Sequence, residues 1–328
     1  MKFSTDEHFG TFFINASNLI LDEYADIYVK IREFFYENNI ATPYIGASFS
    51  RFDIAVEFSM KQVKLISYFI RTLQQRLNKE FGEKSSESGS LIISTRIIPS
   101  GVTEQQVEKP DDPKEPIRFY TFLRMNTNDW TTIEQGIQQL IARTEEIGLR
   151  TSIYWNPSSY PFLLVYEGRS FEQMFKFLIN MRIKGPLCEL LNKTSTFVCL
   201  DQSENVIDET PTEKSIVATC YCMMNPYYCW IDTDEECGEK KQEELRLPEN
   251  LEYIQFGGFD QSTETEKFRN PIDRMGGFDK TVVAMGNNLG EVLKALNEIR
   301  KSNKGRITNT ATVLGYPWEK WDYGVKDR

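Results

Sequence analysis

Along this chain the spacing of apolar residues switches repeatedly between period two and period 3.6. Gly10–Ser17, with Thr11-Phe12-Phe13-Ile14, reads as a strand. Over Leu21–Asn38 the residues Tyr24, Ile27, Tyr28, Ile31, Phe34 and Phe35 recur at helical spacing and share one stripe. Thr42–Phe49 is extended, and so is Phe52–Phe58, where Ile54, Val56 and Phe58 alternate with other residues. A second helix carries Val63, Ile66, Phe69, Ile70, Leu73 and Leu77 inward and stops at Phe81-Gly82. Leu91–Ile98 closes the series, whose order is β-α-β-β-α-β.

The order then recurs. Ile117–Met125 is a strand, followed by a helix presenting Ile133, Ile137, Leu140, Ile141 and Ile147, with Gly148 as its C-cap. Leu149–Trp155 and Phe162–Tyr166 are strands. A helix with Phe171, Met174, Phe175 and Leu178 inward ends at Gly185-Pro186, and Thr194–Leu200 closes the unit. A third passage is irregular. Strands are predicted at Ser215–Met223 and Leu251–Phe256, around the acidic, cysteine-bearing stretch Asn225–Asn250, where only a weak helix near Glu235–Leu245 is expected. Asp260–Asp273 reads as an inserted loop. Thr281–Met285, the helical pattern from Leu289 to Ile299, and the β-branched run Ile307–Leu314 complete it.

Helix starts reinforce the repeat. Ser59/Gln62, Ser170/Gln173 and Asn288/Glu291 each follow an apolar strand with a capping-box pair, in which two side chains satisfy free amides at a helix start; Thr131/Glu134 is a further pair. The fold class is therefore α+β: three tandem ferredoxin-like plait units, each with an antiparallel sheet and its helices on one face, the third with an insertion. The expected division is unit 1 over 1–100, a Pro-rich linker over 101–116, unit 2 over 117–202, a polar linker over 203–214, and unit 3 over 215–328. Each plait leaves one sheet face bare, and a bare apolar face needs a partner. A homodimer is expected, or a compact arrangement of the three units with a cavity at the sheet faces.

Composition narrows the function. The 48 acids against 38 bases give a net charge of −10, which repels phosphate backbones, so nucleic acid is not an expected partner. No run approaches the roughly 18–20 apolar residues that cross a bilayer, and Met1–His8 is charged, so a cytoplasmic location is expected. His8 is the one histidine, which removes most histidine-based catalysis and histidine-rich metal sites.

The stretch Gly276-Gly277-Phe278-Asp279-Lys280-Thr281-Val282-Val283, its acidic helix and the Thr-rich strand Ile307–Leu314 resemble the second half of the effector-binding α/β-plait domain of Lrp/AsnC-type regulators. Ser50-Arg51-Phe52-Asp53 is similar, with serine for glycine. The resemblance implies a stand-alone sensing protein without the family's DNA-binding part, with a small effector such as an amino acid held between paired plaits near this motif. Gly276, Phe278 and Asp279 are then ligand-binding candidates, with Asp53 and Arg51 as the unit 1 counterparts. Asp279 and Asp53 can instead pin their turns by accepting backbone amides. Arg269 and Arg274, on the inserted loop, are placed to clamp a carboxylate.

Cys220, Cys222, Cys229 and Cys237 lie close enough in sequence to form a four-thiolate zinc site, although the spacing lacks paired C-x₂₋₄-C knuckles. Apart from that zinc ion, no cofactor is expected. The favoured expectation is a metabolite-sensing or regulatory interaction protein, with catalysis not favoured. An enzyme of the dimeric α/β-barrel type, using Asp, Glu or Tyr as acid and base, is the alternative, and an oligomeric scaffold is a third.

Overall fold

A computed structural model describes residues 8–15, 21–40, 44–50, 52–60, 63–85, 92–99, 115–155, 162–183, 187–202, 209–211, 215–224, 253–257, 280–304 and 306–316. The first set of elements is β1 (His8–Asn15), α1 (Leu21–Glu37), β2 (Tyr44–Phe49), β3 (Ile54–Met60), α2 (Val63–Ser85) and β4 (Ile92–Pro99). The second is β5 (Ile117–Met125), α3 (Trp130–Glu146), β6 (Arg150–Trp155), β7 (Phe162–Gly168), α4 (Phe171–Ile183) and β8 (Leu191–Asp201). The third has β9 (Ile216–Met224), β10 (Tyr253–Gly257), β11 (Lys280–Gly286), α5 (Leu289–Ser302) and β12 (Ile307–Gly315).

The fold is α+β, and its strand orders are those of ferredoxin-like plaits. The sequences β4-β1-β3-β2, β8-β5-β7-β6 and β12-β9-β11-β10 share one topology, all with antiparallel pairs. The first two sheets are one continuous sheet of eight strands. Their edges β2 and β8 pair antiparallel from Gly46↔Asp201 to Phe49↔Val198. The sheet curls until its outer edges β4 and β6 come against each other. Two plaits of one chain thus turn their bare faces toward a common interior, and pairing strand to strand removes an exposed edge from each.

Alternation along the strands separates two kinds of core. Ile54, Val56 and Phe58 of β3 face α1 and α2, where they pack with Ile27, Ile31, Phe35, Phe69, Leu73 and Leu77. Ile117, Phe119 and Leu123 of β5 face α3 and α4, and that core runs on without a break into β9, β11 and α5 of the third set. Tyr316, after β12, closes the seam against Phe171 and Phe175 of α4, with ring centroids 5.7 and 5.4 Å apart. Burying each such side chain contributes about 1.5–3 kcal/mol.

Several helix ends differ from expectation. α2 runs through Gly82 to Ser85, because a single glycine costs a helix only about 1 kcal/mol. Asp129, not Thr131, caps α3: its carboxylate accepts the Thr131 amide at 3.1 Å and the Thr132 hydroxyl. Ser170 accepts the Gln173 amide at 3.3 Å, but the Gln173 side chain turns away to the Ile147 carbonyl. Asn288 caps α5 through the Glu291 amide at 2.8 Å, and Glu291 reaches back to the Asn287 amide at 2.7 Å. Gln62, the predicted helix 235–245 and the Asp260–Asp273 loop lie outside the described residues. Among the described residues no helix is long and apolar enough to cross a membrane.

Candidate active site

The interior of the curled sheet is built from the strand positions that face away from the helices. One part of it is aromatic. Phe13 meets Phe197 at 4.8 Å, Phe52 at 5.6 Å and Tyr120 at 5.9 Å between ring centroids, and Phe122 meets Phe197 at 5.9 Å. Leu163, Val165 and Tyr154 complete this packing.

The other part is polar, and just as buried. Glu57 of β3, Arg118 of β5, Glu167 of β7 and Asp201 of β8 are 2, 2, 6 and 6% exposed, values low enough that water cannot screen their charges. Arg118 holds Glu57 through Nη1 and Glu167 through Nη2, the latter at 2.6 Å. Tyr120 donates its phenolic hydrogen to the other Glu57 oxygen at 2.5 Å. The Arg118 guanidinium lies over the Tyr44 ring, 4.4 Å from its centroid, where the ring quadrupole favours a cation.

Register explains the gathering. Glu57 sits directly opposite Thr11 on one side and Tyr44 on the other, Arg118 opposite Glu167 and Cys199, and Gly46 opposite Asp201. The absence of a side chain at Gly46 is required here. A Cβ would stand 2.3 Å from the Tyr44 hydroxyl, because the ring lies along its own strand. Among the described residues, the Tyr44 hydroxyl and the Thr11 hydroxyl are buried without a hydrogen-bond partner, although buried polar groups are normally paired.

Electrostatics keep the hydroxyls protonated. Burial, and then the charge of Glu57, push Tyr120 well above the usual phenol range. Burial does the same to Tyr44, with Cys199, Asp201 and Glu57 adding to it. The Cys199 thiol is raised by burial, against a hydrogen bond with Ser48. The layer thus contains carboxylates beside phenols that stay neutral donors, the combination needed for moving a proton to or from carbon while stabilising the oxygen where charge collects.

Asp53 lies elsewhere. Its carboxylate accepts Arg300 of α5 at 2.7 Å, and its backbone joins Ile14 and Ser48. Arg300 also donates to the Thr310 hydroxyl. Beside this pair is a cavity of about 20 Å³, room for a single water, lined in part by Tyr28, Ser48 and Asn297. Cys220 and Cys222 sit side by side on β9 and are buried, with sulfurs 3.9 Å apart, and the Cys222 contact pushes the Cys220 thiol down. Arg51, Arg269, Arg274, Gly276, Phe278, Asp279, Cys229 and Cys237 lie outside the described residues. Among the described residues no three potential metal ligands gather. Glu57, Arg118, Tyr120 and Glu167 were not among the candidates from sequence. For Glu57, Arg118 and Glu167 the signal is a charge on the non-helical face of a strand; Tyr120 carries no such signal.

No protein-family model matches this chain, and no curated protein matches it in sequence. Some solved structures are similar to part of it. A chlorite dismutase from Candidatus Nitrospira defluvii, solved with imidazole, has TM-score 0.43 and 8% identity, covering 60% of this chain and 91% of its own. A heme-binding protein from Thermus thermophilus has TM-score 0.42 and 10% identity, covering 61% and 92%. A protein from Fusobacterium nucleatum assigned as a monooxygenase has TM-score 0.38 and 7% identity, covering 62% and 95%.

These neighbours correct two expectations. None of the three is described as a metabolite sensor or regulator, and that role is withdrawn. The expectation of no cofactor, zinc aside, is withdrawn as well, since a heme-binding protein stands among them. No Lrp/AsnC link is shown: the helix and the Thr-rich strand of that likeness are present as α5 and β12, but its Gly-x-Phe-Asp stretch, Gly276–Asp279, lies outside the described residues.

Heme itself is testable against the interior. It needs a flat apolar slot and, at the iron, a donor side chain. The described interior is filled by the Phe13, Phe52, Phe122 and Phe197 rings at one part and by the Arg118 ion cluster at the other. His8 is the first residue of β1, in register with Met60 and Pro99. These interior residues do not fit heme.

Proposed function

We propose that this chain is an enzyme that abstracts a proton from carbon next to a carbonyl group, with the polar layer of the curled sheet as its active site. The observation that carries this reading is the Glu57 carboxylate, buried and held at once by Arg118 and by the Tyr120 hydroxyl. Glu57 is the base. It takes the proton as the C–H bond breaks, and the electron pair moves onto the carbonyl oxygen. The Tyr44 hydroxyl, opposite Glu57 in register and without a partner among the described residues, donates to that oxygen. Arg118 and Tyr120 position Glu57. Return of the proton to the same or a neighbouring carbon completes an exchange or an isomerisation without any external oxidant.

A role in stability alone is a weaker account of the same residues. Buried ion clusters cost several kcal/mol per charge in desolvation, and apolar replacements are often neutral or better. The test is deuterium uptake at carbon, followed by NMR in heavy water across a panel of small enolisable keto acids, ketones and lactones. Exchange on at least one compound is expected, falling by about 10²–10⁴-fold in Glu57→Gln, the range for loss of a positioned base. No exchange across the panel, or exchange untouched in a folded Glu57→Gln variant, overturns the reading.

A further inference from the structure

The outer, helical side of the second plait carries a trough between α3 and α4 that the active-site reading does not use. It has a volume of about 560 Å³, within the roughly 300–1,000 Å³ typical of small-molecule sites. Leu140, Phe177 and Met181 form its floor and are buried, and Ile147, 39% exposed, extends the apolar surface into solvent. That exposure is high for a large aliphatic residue beside an open trough and leaves apolar area for a ligand to cover. One end is tied shut by the Gln173 side chain, which joins the start of α4 to the Ile147 carbonyl at the end of α3.

The rim has a defined charge pattern. Lys176 is engaged with Glu172 at 2.7 Å. Arg143 and Glu146 both line the rim, one turn apart on α3, yet among the described residues Arg143 forms no ion pair. A guanidinium at the mouth of an apolar trough suits a carboxylate, which it can grip with two parallel hydrogen bonds.

We infer that this trough binds an amphipathic carboxylic acid, its chain or ring on Leu140, Phe177, Met181 and Ile147 and its carboxylate on Arg143. Glu146 opposes anions in general, so the apolar body has to supply most of the affinity and the carboxylate its orientation. The site is independent of Glu57.

The experiment is calorimetric titration of the whole chain with dodecanoate, below its micelle concentration, with dodecylamine as the comparison. Saturable one-to-one binding of dodecanoate is expected, at least tenfold tighter than any binding of dodecylamine. Arg143→Glu and Ile147→Glu, both at exposed positions that leave the core intact, are each expected to weaken dodecanoate by tenfold or more. Glu57→Gln is expected to bind it unchanged. Absence of saturable binding overturns the inference. So does equal affinity for the amine, and so does binding that both trough variants retain.

Discussion

Arg118 is the residue on which the interior depends. It neutralises two carboxylates from two other strands, and each of those strands has turned its charge inward because its opposite parity belongs to the helix-facing core. Removing Arg118 alone therefore leaves Glu57 and Glu167 facing each other in a medium that water does not screen. Arg118→Met is expected to cost about 3–5 kcal/mol, the range for breaking one partner out of a buried ion set. Replacing Glu57, Arg118 and Glu167 together by Leu, Met and Leu is expected to recover most of that loss and to abolish exchange activity. Urea denaturation of the two variants checks this: a triple variant as unstable as the single one would mean that packing, not uncompensated charge, sets the cost. Such residues were hard to see in the sequence. A lone Glu in Ile-Ala-Val-Glu-Phe reads as an ordinary solvent-facing position of an alternating strand. Only the curl of the sheet, which covers the second face, turns it into a buried charge. Asp53 was legible as unusual, but its partner Arg300 is 247 residues away and no local pattern announces it.

Elements were far more legible than sites, because period and capping are local. The strands at Ile117–Met125 and the helix opened by Asn288 follow directly from alternation and from a reciprocal cap. Where a boundary moved, a neighbouring side chain won the same competition: Asp129 reaches the free amides of α3 ahead of Thr131. One cap could not be read locally at all. Glu209, far upstream, accepts the Leu289 amide at 2.8 Å and the Gly290 amide at 3.3 Å at the start of α5. Burial raises its pKa above the usual carboxyl value, against those two hydrogen bonds. A carboxyl raised in the folded state binds its proton more tightly there than when unfolded, so its contribution favours folding in acid. That contribution is lost as the pH rises from the ordinary carboxyl value through the raised one. Glu209→Gln keeps one oxygen to accept the Leu289 amide, gives up the longer bond to Gly290, and removes the ionisation. Its stability relative to the parent is expected to improve from pH 4 to pH 7, measured by denaturant unfolding at both. A relative stability that falls over that interval would show that the helix start gains more from the negative charge than burial costs.

At the scale of the molecule, the repeat predicted three plaits but not how they meet, since edge pairing and face closure are decided by partners far apart in sequence. The chain solves the bare-face problem for its first two plaits internally, through β2 and β8. The third is tied on differently. Its helix α5 and its sheet share a core with the second plait, while a polar bridge reaches the first: Asp53 to Arg300, and the Thr312 amide to the Ser50 carbonyl at 3.0 Å. The shared core is apolar and non-directional, so it sets proximity, and the ion pair fixes orientation. Two consequences can be separated by a double-mutant cycle. Asp53→Ala alone strands a buried Arg300 and is expected to cost about 3–5 kcal/mol. Adding Arg300→Met is expected to restore a large part of it, giving a coupling within the roughly 0.5–3 kcal/mol seen for residues in one network. Calorimetry reads the structural side. If the pair couples the third plait to the rest, Asp53→Ala should split one unfolding transition into two, the earlier belonging to 215–316, and the double variant should merge them again only in part. A single transition in every variant would place the coupling in the shared apolar core, around Tyr316 and Phe171, and reduce Asp53 to the turn at which it stands.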